Sequence, residues 1–80
     1  MSFHKIKSVK SLENKIIEVI FIDGSIKKYD IKPLIDKYEI FKELKSEKFF
    51  NKARVDIGGY AIVWNENIDL SSEEIWQNGK

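Results

Sequence analysis

The stretch Ile16-Ile17-Glu18-Val19-Ile20-Phe21-Ile22, closed by Asp23-Gly24, limits what this chain can fold into more than any other segment. β-Branched side chains dominate it, and they pack well on a pleated surface. Apolar groups fall on both parities, so both faces of the strand carry them. Such a strand belongs inside a sheet, with a neighbour on each edge. Asp-Gly is a strong hairpin signal, so a returning strand over Ser25 to Ile31 is expected. Two registers fit the sequence. A two-residue loop sets Phe21 opposite Ile26; a three-residue loop over Asp23, Gly24 and Ser25 sets Ile22 opposite Ile26 and Val19 opposite Tyr29. Upstream, Phe3 to Leu12 alternates in part, with Phe3, Lys5, Lys7 and Val9 against His4, Ile6, Ser8 and Lys10. This predicts an edge strand whose lysines discourage wrong pairing. The polar Glu13-Asn14-Lys15 then joins it to the central strand.

After the third strand the period changes. Pro33 suits the first position of a helix, and Leu34, Ile35, Tyr38, Phe41 and Leu44 follow at helical spacing. A short helix near 33–38 and a separate turn near 40–45 are expected, with Ser46 capping a further turn that carries Phe49 and Phe50. Gly58-Gly59 reads as a two-residue hairpin loop. Ile57 then faces Tyr60, Val55 faces Ile62 and Ala53 faces Trp64, all six on one apolar side; Arg54, Asp56, Ala61 and Val63 take the other. Trp64 is thereby a core residue at a strand end. Asn65-Glu66-Asn67 leaves the sheet as a polar loop. Ser71-x-x-Glu74 is a capping box, Leu70 and Ile75 form its hydrophobic staple, Trp76 continues the apolar face, and Gly79 ends the helix. The expected architecture is α+β in the order β-β-β-α-β-β-α: an antiparallel three-stranded meander, a short helical connection, a β-hairpin and a C-terminal helix, in a single domain over residues 1–80.

Eighty residues make one domain at most, with a core just sufficient for independent folding. The chain has no cysteine, which excludes disulfides, thiolate metal sites and a cysteine nucleophile. A small domain without disulfide staples points to the cytoplasm. No apolar run approaches a membrane span, and MSFHKIKSVK lacks the apolar core of a signal peptide. The net charge of +1 gives no general drive toward nucleic acid or anionic membranes. Its distribution is uneven: residues 1–33 hold seven lysines against four acids, and residues 34–80 hold seven basic residues against nine acids.

Motifs for chemistry are scarce. His4 is the only histidine, so a two-histidine metal site within the chain is excluded; it reads as a solvated strand residue. No Gly-x-Ser-x-Gly turn presents a serine. Gly58-Gly59 lies between strand-like residues rather than opening a helix, unlike a phosphate-binding loop. Asp23, Asp56, Glu66 and Asp69 fall in turns and beside a helix start, and do not read as a divalent-metal cluster. Aromatic residues interleaved with lysines are what a single-strand nucleic-acid binder shows when its rings are exposed. Here Phe21, Tyr60, Trp64 and Trp76 sit on core-patterned faces; Tyr29 and Tyr38 are less constrained. The residues assign no catalytic, cofactor-binding or metal-binding position, and no cofactor.

The order of these signals resembles the bacterial family known as domain of unknown function 2442. The resemblance is carried by a strand leading into Phe21-x-Asp23-Gly24, then Tyr29-Asp30-Ile31 with Pro33-Leu34-Ile35. It continues through Phe41, Leu44 and Phe49, the pair Val55-Asp56, a strand ending in Trp64, and Asp69-Leu70-Ser71 before a glutamate-bearing last helix. It covers nearly the whole chain. The chain departs from the family after Trp64, where a proline and glycine are usual and Asn65-Glu66-Asn67 stands instead. The resemblance implies a small α+β domain with no established catalytic residues. It also implies a setting, since some members carry a following helix-turn-helix domain and others are encoded in toxin–antitoxin-like pairs. A chain ending at Lys80 is expected to lack that DNA-binding domain. The expected function is a non-enzymatic protein-interaction module, binding a protein partner or itself as a homodimer, as an accessory or antitoxin-like member of a two-gene unit. The alternative is a nucleic-acid-binding or regulatory domain using the basic N-terminal face.

Overall fold

The computed structural model describes residues 4–80; Phe3, expected to begin the first strand, lies outside them. Strands β1 (Ile6–Ser11), β2 (Ile16–Phe21) and β3 (Ile26–Asp30) form an antiparallel sheet with β2 in the centre. Helix α1 (Lys32–Lys37), a 3₁₀ segment Glu39–Lys45 and helix α2 (Glu47–Phe50) connect it to a second sheet of β4 (Arg54–Val55), β5 (Ala61–Asn65) and β6 (Ile68–Ser71). Helix α3 (Ser72–Asn78) follows. Meander, helical connection, hairpin and final helix occur in the expected α+β order. The second sheet has one strand more than the sequence reading gives it. Ile68 and Leu70 are buried while Asp69 and Ser71 face solvent, the period-two pattern of a strand. A tight turn makes this possible without proline or glycine: Asn65 Oδ1 accepts the N–H groups of Asn67 at 2.8 Å and Ile68 at 3.0 Å, as asparagine does in turns.

The first sheet buries one face. Ile17, Val19 and Phe21 of β2 are wholly inside. Partial alternation in β1 has a local cause. Ile6 opposes Phe21 but Ser8 opposes Ile20, so one extra residue is accommodated near Lys7. That bulge lets Ile6 and Val9, of opposite parity, both turn toward the core. The β2–β3 register is neither of the two expected. Ile20 pairs with Ile26 and Ile17 with Tyr29; Phe21 N–H donates to Ser25 O at 2.8 Å and Gly24 N–H to Phe21 O at 2.9 Å. The loop is therefore Ile22-Asp23-Gly24, with Gly24 at φ +92°: a three-residue turn whose last position is left-handed. Asp23 Oδ1 accepts Ser25 N–H at 2.9 Å and reinforces it.

Pro33 lies in the first turn of α1, where its missing N–H costs nothing. Ser46 stands at the N-cap of α2, but its hydroxyl makes no capping bond; its carbonyl accepts Phe50 N–H at 2.9 Å. In the second sheet Val55 pairs with Ile62 and Arg54 with Val63, as expected, but the hairpin opens early. Asp56 Oδ1 accepts Gly59 N–H at 2.6 Å and Tyr60 N–H at 2.9 Å, drawing the chain into a turn before Gly58. Ile57 is 106% exposed and Tyr60 48% exposed, so neither joins the apolar side expected of all six residues. Gly59, at φ +82°, accepts Ile6 N–H at 2.7 Å and so ties the two sheets together.

Ser71 caps α3 by accepting Glu74 N–H at 3.1 Å, and Leu70 and Ile75 are both buried. The expected return arm of the capping box is replaced: the Glu74 carboxylate accepts from Tyr29 and Asn78. Gly79 sits at φ −75°, so it ends the helix for want of room rather than for left-handed backbone; a Cβ there would lie 2.5 Å from Ile75 O. Lys80 N–H then donates to Lys28 O at 2.8 Å, laying the tail on the edge of β3. One core joins both sheets, the helical connection and α3, with Trp64 in it. The Trp64 indole N–H donates to Phe50 O at 3.1 Å.

Candidate functional site

An open concavity lies between β3 and α3. Parity turns Tyr29 inward from β3, and its hydroxyl donates to Glu74 Oε2 at 2.8 Å. Asn78, one turn along α3, donates to the same oxygen at 2.8 Å. Ile16, Lys28, Asp30, Pro33 and Lys80 complete an open groove of about 650 Å³. Loss of solvent pushes the Tyr29 phenol well above its ordinary pKa, and the bond to Glu74 and that carboxylate's charge push it further. The Tyr29 hydroxyl, kept protonated and bonded to Glu74, fastens α3 to the first sheet. Burial works against ionisation of Asp30, but the Lys32 N–H, at 2.9 Å, and the Lys32 ammonium, at 3.0 Å, outweigh it and hold the carboxyl below its usual range.

A second cluster gathers on the other flank of α3. His4 is not the solvated residue expected. Its ring stacks on Trp76 with centroids 3.8 Å apart, its Nδ1 lies 2.9 Å from Glu73 Oε2, and its backbone N–H donates to the same oxygen at 3.0 Å. The His4 backbone bond first, and the imidazole second, hold Glu73 below the usual carboxylate range. Trp76 also meets Phe21 edge-on at 5.0 Å and has the Lys27 ammonium 5.2 Å from its ring. It is half-buried. Histidine, glutamate and tryptophan together dock the N-terminal segment onto α3.

The four acids considered from the sequence do not converge. Asp23 and Asp56 bind turn amides, Glu66 lies in the β5–β6 turn, and Asp69 points outward from β6. Among the described residues no group of three or more histidine, cysteine, aspartate or glutamate side chains is placed to hold a metal ion. Of the aromatic residues, Phe21 and Trp64 are buried, while Tyr38, Phe49 and Tyr60 are exposed.

Sequence reasoning did not anticipate which apolar side chains remain outside. Ile20 and Ile26 are direct cross-strand partners, Ile22 continues the same parity, and all three lie on the face of the first sheet opposite the core. Ile22 is 59% and Ile26 56% exposed. Ile40 and Ile57 are exposed elsewhere. The signal was present in the two-faced strand Ile16–Ile22, which has apolar groups for two layers in a chain that supplies one.

Comparison with known proteins gives three findings. The family model described as Protein of unknown function (DUF2442) matches residues 6–80. No curated protein matches the chain. A crystal structure of a protein from Nitrosomonas europaea, described as "Putative DNA Binding Protein", superposes with a TM-score of 0.79 at 12% identity. It covers 95% of this chain, and this chain spans 50% of that one. At that identity the likeness is one of fold. No helix among the described residues is long and apolar enough to cross a membrane.

Proposed function

The chain belongs to the DUF2442 family of proteins of unknown function, and from that premise we propose that it is a non-enzymatic module of the bacterial cytoplasm that binds a protein partner. The observation that carries this reading is the apolar surface left uncovered. Seven large apolar or aromatic side chains among the described residues are exposed; of these, Ile26 pairs across the first sheet with the half-buried Ile20, and Ile22 follows at the start of the adjoining turn. Single exposed apolar residues are ordinary; adjoining ones on a sheet face mark an interaction surface. The polar clusters, by contrast, hold the fold together. In the family setting the module acts as the accessory or antitoxin-like member of a two-gene unit. Co-expression with the product of the neighbouring gene tests this: co-purification with micromolar or tighter affinity and about 1,200 Å² or more buried is expected. A clean separation of the two proteins, with no effect of co-expression on growth, would count decisively against it.

A second reading, nucleic-acid binding, is favoured by the fold shared with the Nitrosomonas europaea protein described as DNA-binding and by the lysine surplus in residues 1–33. That protein is twice as long as its matched part. The test is a salt titration, in which phosphate contacts make affinity fall steeply as salt rises. An absence of binding at low salt rejects this reading.

A further inference from the structure

We propose that the outer face of the first sheet is the docking surface for an amphipathic α-helix of the partner, apolar along one stripe and acidic along its flanks. The proposal rests on the protein-binding reading above and adds the surface and the partner's chemistry.

A sheet with apolar groups on both faces calls for a layer on each. The inner face has its layer in the core. On the outer face, Ile20 opposes Ile26 and Ile22 lies two residues from Ile20. Three strands spaced about 4.8 Å apart, each about five residues long at about 3.3 Å per residue, give a face roughly 10–14 Å wide and 17 Å long. A helix is about 10–12 Å across and rises about 16 Å in three turns. One helix therefore covers the face.

Charge selects the kind of helix. Beside the isoleucines runs a row in register, Lys10 opposite Glu18 opposite Lys28. Lys5 adjoins Ile22, whose N–H donates to Lys5 O at 2.8 Å. Three lysines thus border the apolar centre against Glu18 and Asp30, and Asp30 is already held by Lys32 at 3.0 Å. A second copy of the chain, seated face to face, would bring this basic border against its own like, and like charges across an interface disfavour that partner. Acidic flanks on the incoming helix answer the lysines.

The probes are two synthetic amphipathic peptides of about 18 residues with the same leucine stripe, one flanked by glutamates and the other by lysines, titrated into isotope-labelled protein and followed by amide NMR shifts. The glutamate-flanked peptide is expected to move the amides of Ile20, Ile22 and Ile26 and to bind at least about tenfold more tightly than its twin at low salt. Ile26→Glu, and separately Ile22→Glu, should weaken it about tenfold with thermal melts unchanged. The double variant Lys10→Glu/Lys28→Glu should reverse the preference between peptides. Equal affinity for both peptides, or no binding of either, overturns the proposal. Shifts by the neighbouring gene's product at Tyr38, Ile40, Phe49 or Ile57, with none at the three isoleucines, overturn this surface and leave the protein-binding reading standing. Self-association abolished by Ile26→Glu assigns the face to a second copy, and salt-sensitive DNA binding mapped to it assigns it to nucleic acid; either overturns the helix.

Discussion

Tyr29 is where single-residue chemistry matters most. Its hydroxyl and Glu74 join the first sheet to α3, and its pKa is raised chiefly by loss of solvent. A raised folded-state pKa contributes stability that is fully present below the unfolded value of about 10 and is lost as pH rises through the folded one. Urea midpoints should therefore fall above pH 10. Tyr29→Phe should remove most of that alkaline fall, because the group that titrates differently is gone, while lowering neutral stability by about 1 kcal/mol for the lost hydrogen bond. An unchanged alkaline profile in the variant would show that another group is responsible. Trp64 offers a contrasting case. Phe50 O accepts its indole N–H and also, at 3.3 Å, the Ser11 hydroxyl. Trp64→Phe leaves that carbonyl a partner, so its hydrogen-bond cost should stay at about 1 kcal/mol.

At the level of elements, turns decide more than strands do. Gly24 and Gly59 both occupy left-handed backbone, but a Cβ on Gly24 would meet nothing within 4 Å, whereas one on Gly59 would lie 2.8 Å from Lys5 Cγ and 3.1 Å from Ile6 O. Gly24→Ala should cost only the conformational penalty, about 1–2 kcal/mol. Gly59→Ala should cost about 1–3 kcal/mol more, because it also overpacks the link between the sheets. Urea denaturation of the two variants side by side checks the order; equal losses would mean that the Gly59–Ile6 connection is not a constraint. The same turns explain what the sequence disclosed. Strand identity followed from β-branched runs, and the start of α3 from Ser71 and Glu74, because those signals are local. The Asp23-Gly24 register was not legible, since which residue takes the left-handed position depends on how Phe21 and Ser25 pair. The placing of Ile57 was hidden because Asp56 captures two amides across its turn. His4 was hidden because its partners lie at the far end of the chain. β6 was hidden because Asn65, rather than a proline or glycine, makes the turn before it.

The whole molecule is small enough for its stability to be only on the order of 5 kcal/mol, and this makes the two faces of the first sheet separable by experiment. Ile17 and Ile26 lie on neighbouring strands of one sheet, one wholly buried and the other 56% exposed. Removing three buried carbons in Ile17→Ala costs about 2–5 kcal/mol, comparable to the entire margin, so that variant should be largely unfolded at 37 °C. Ile26→Thr keeps a β-branched residue in the strand and loses little burial, so its stability should stay within about 0.5 kcal/mol of the parent. If the outer face serves a partner, Ile26→Thr should weaken partner binding with the fold intact. A partner present at about 100 times its dissociation constant should stabilise the parent by about 2.7 kcal/mol, and the variant by distinctly less. Measured together by urea denaturation with and without partner, these values separate a face that holds the domain together from one that the domain offers outward. Should Ile26→Thr destabilise the isolated chain as much as a core substitution, the outer face is part of the fold's own support.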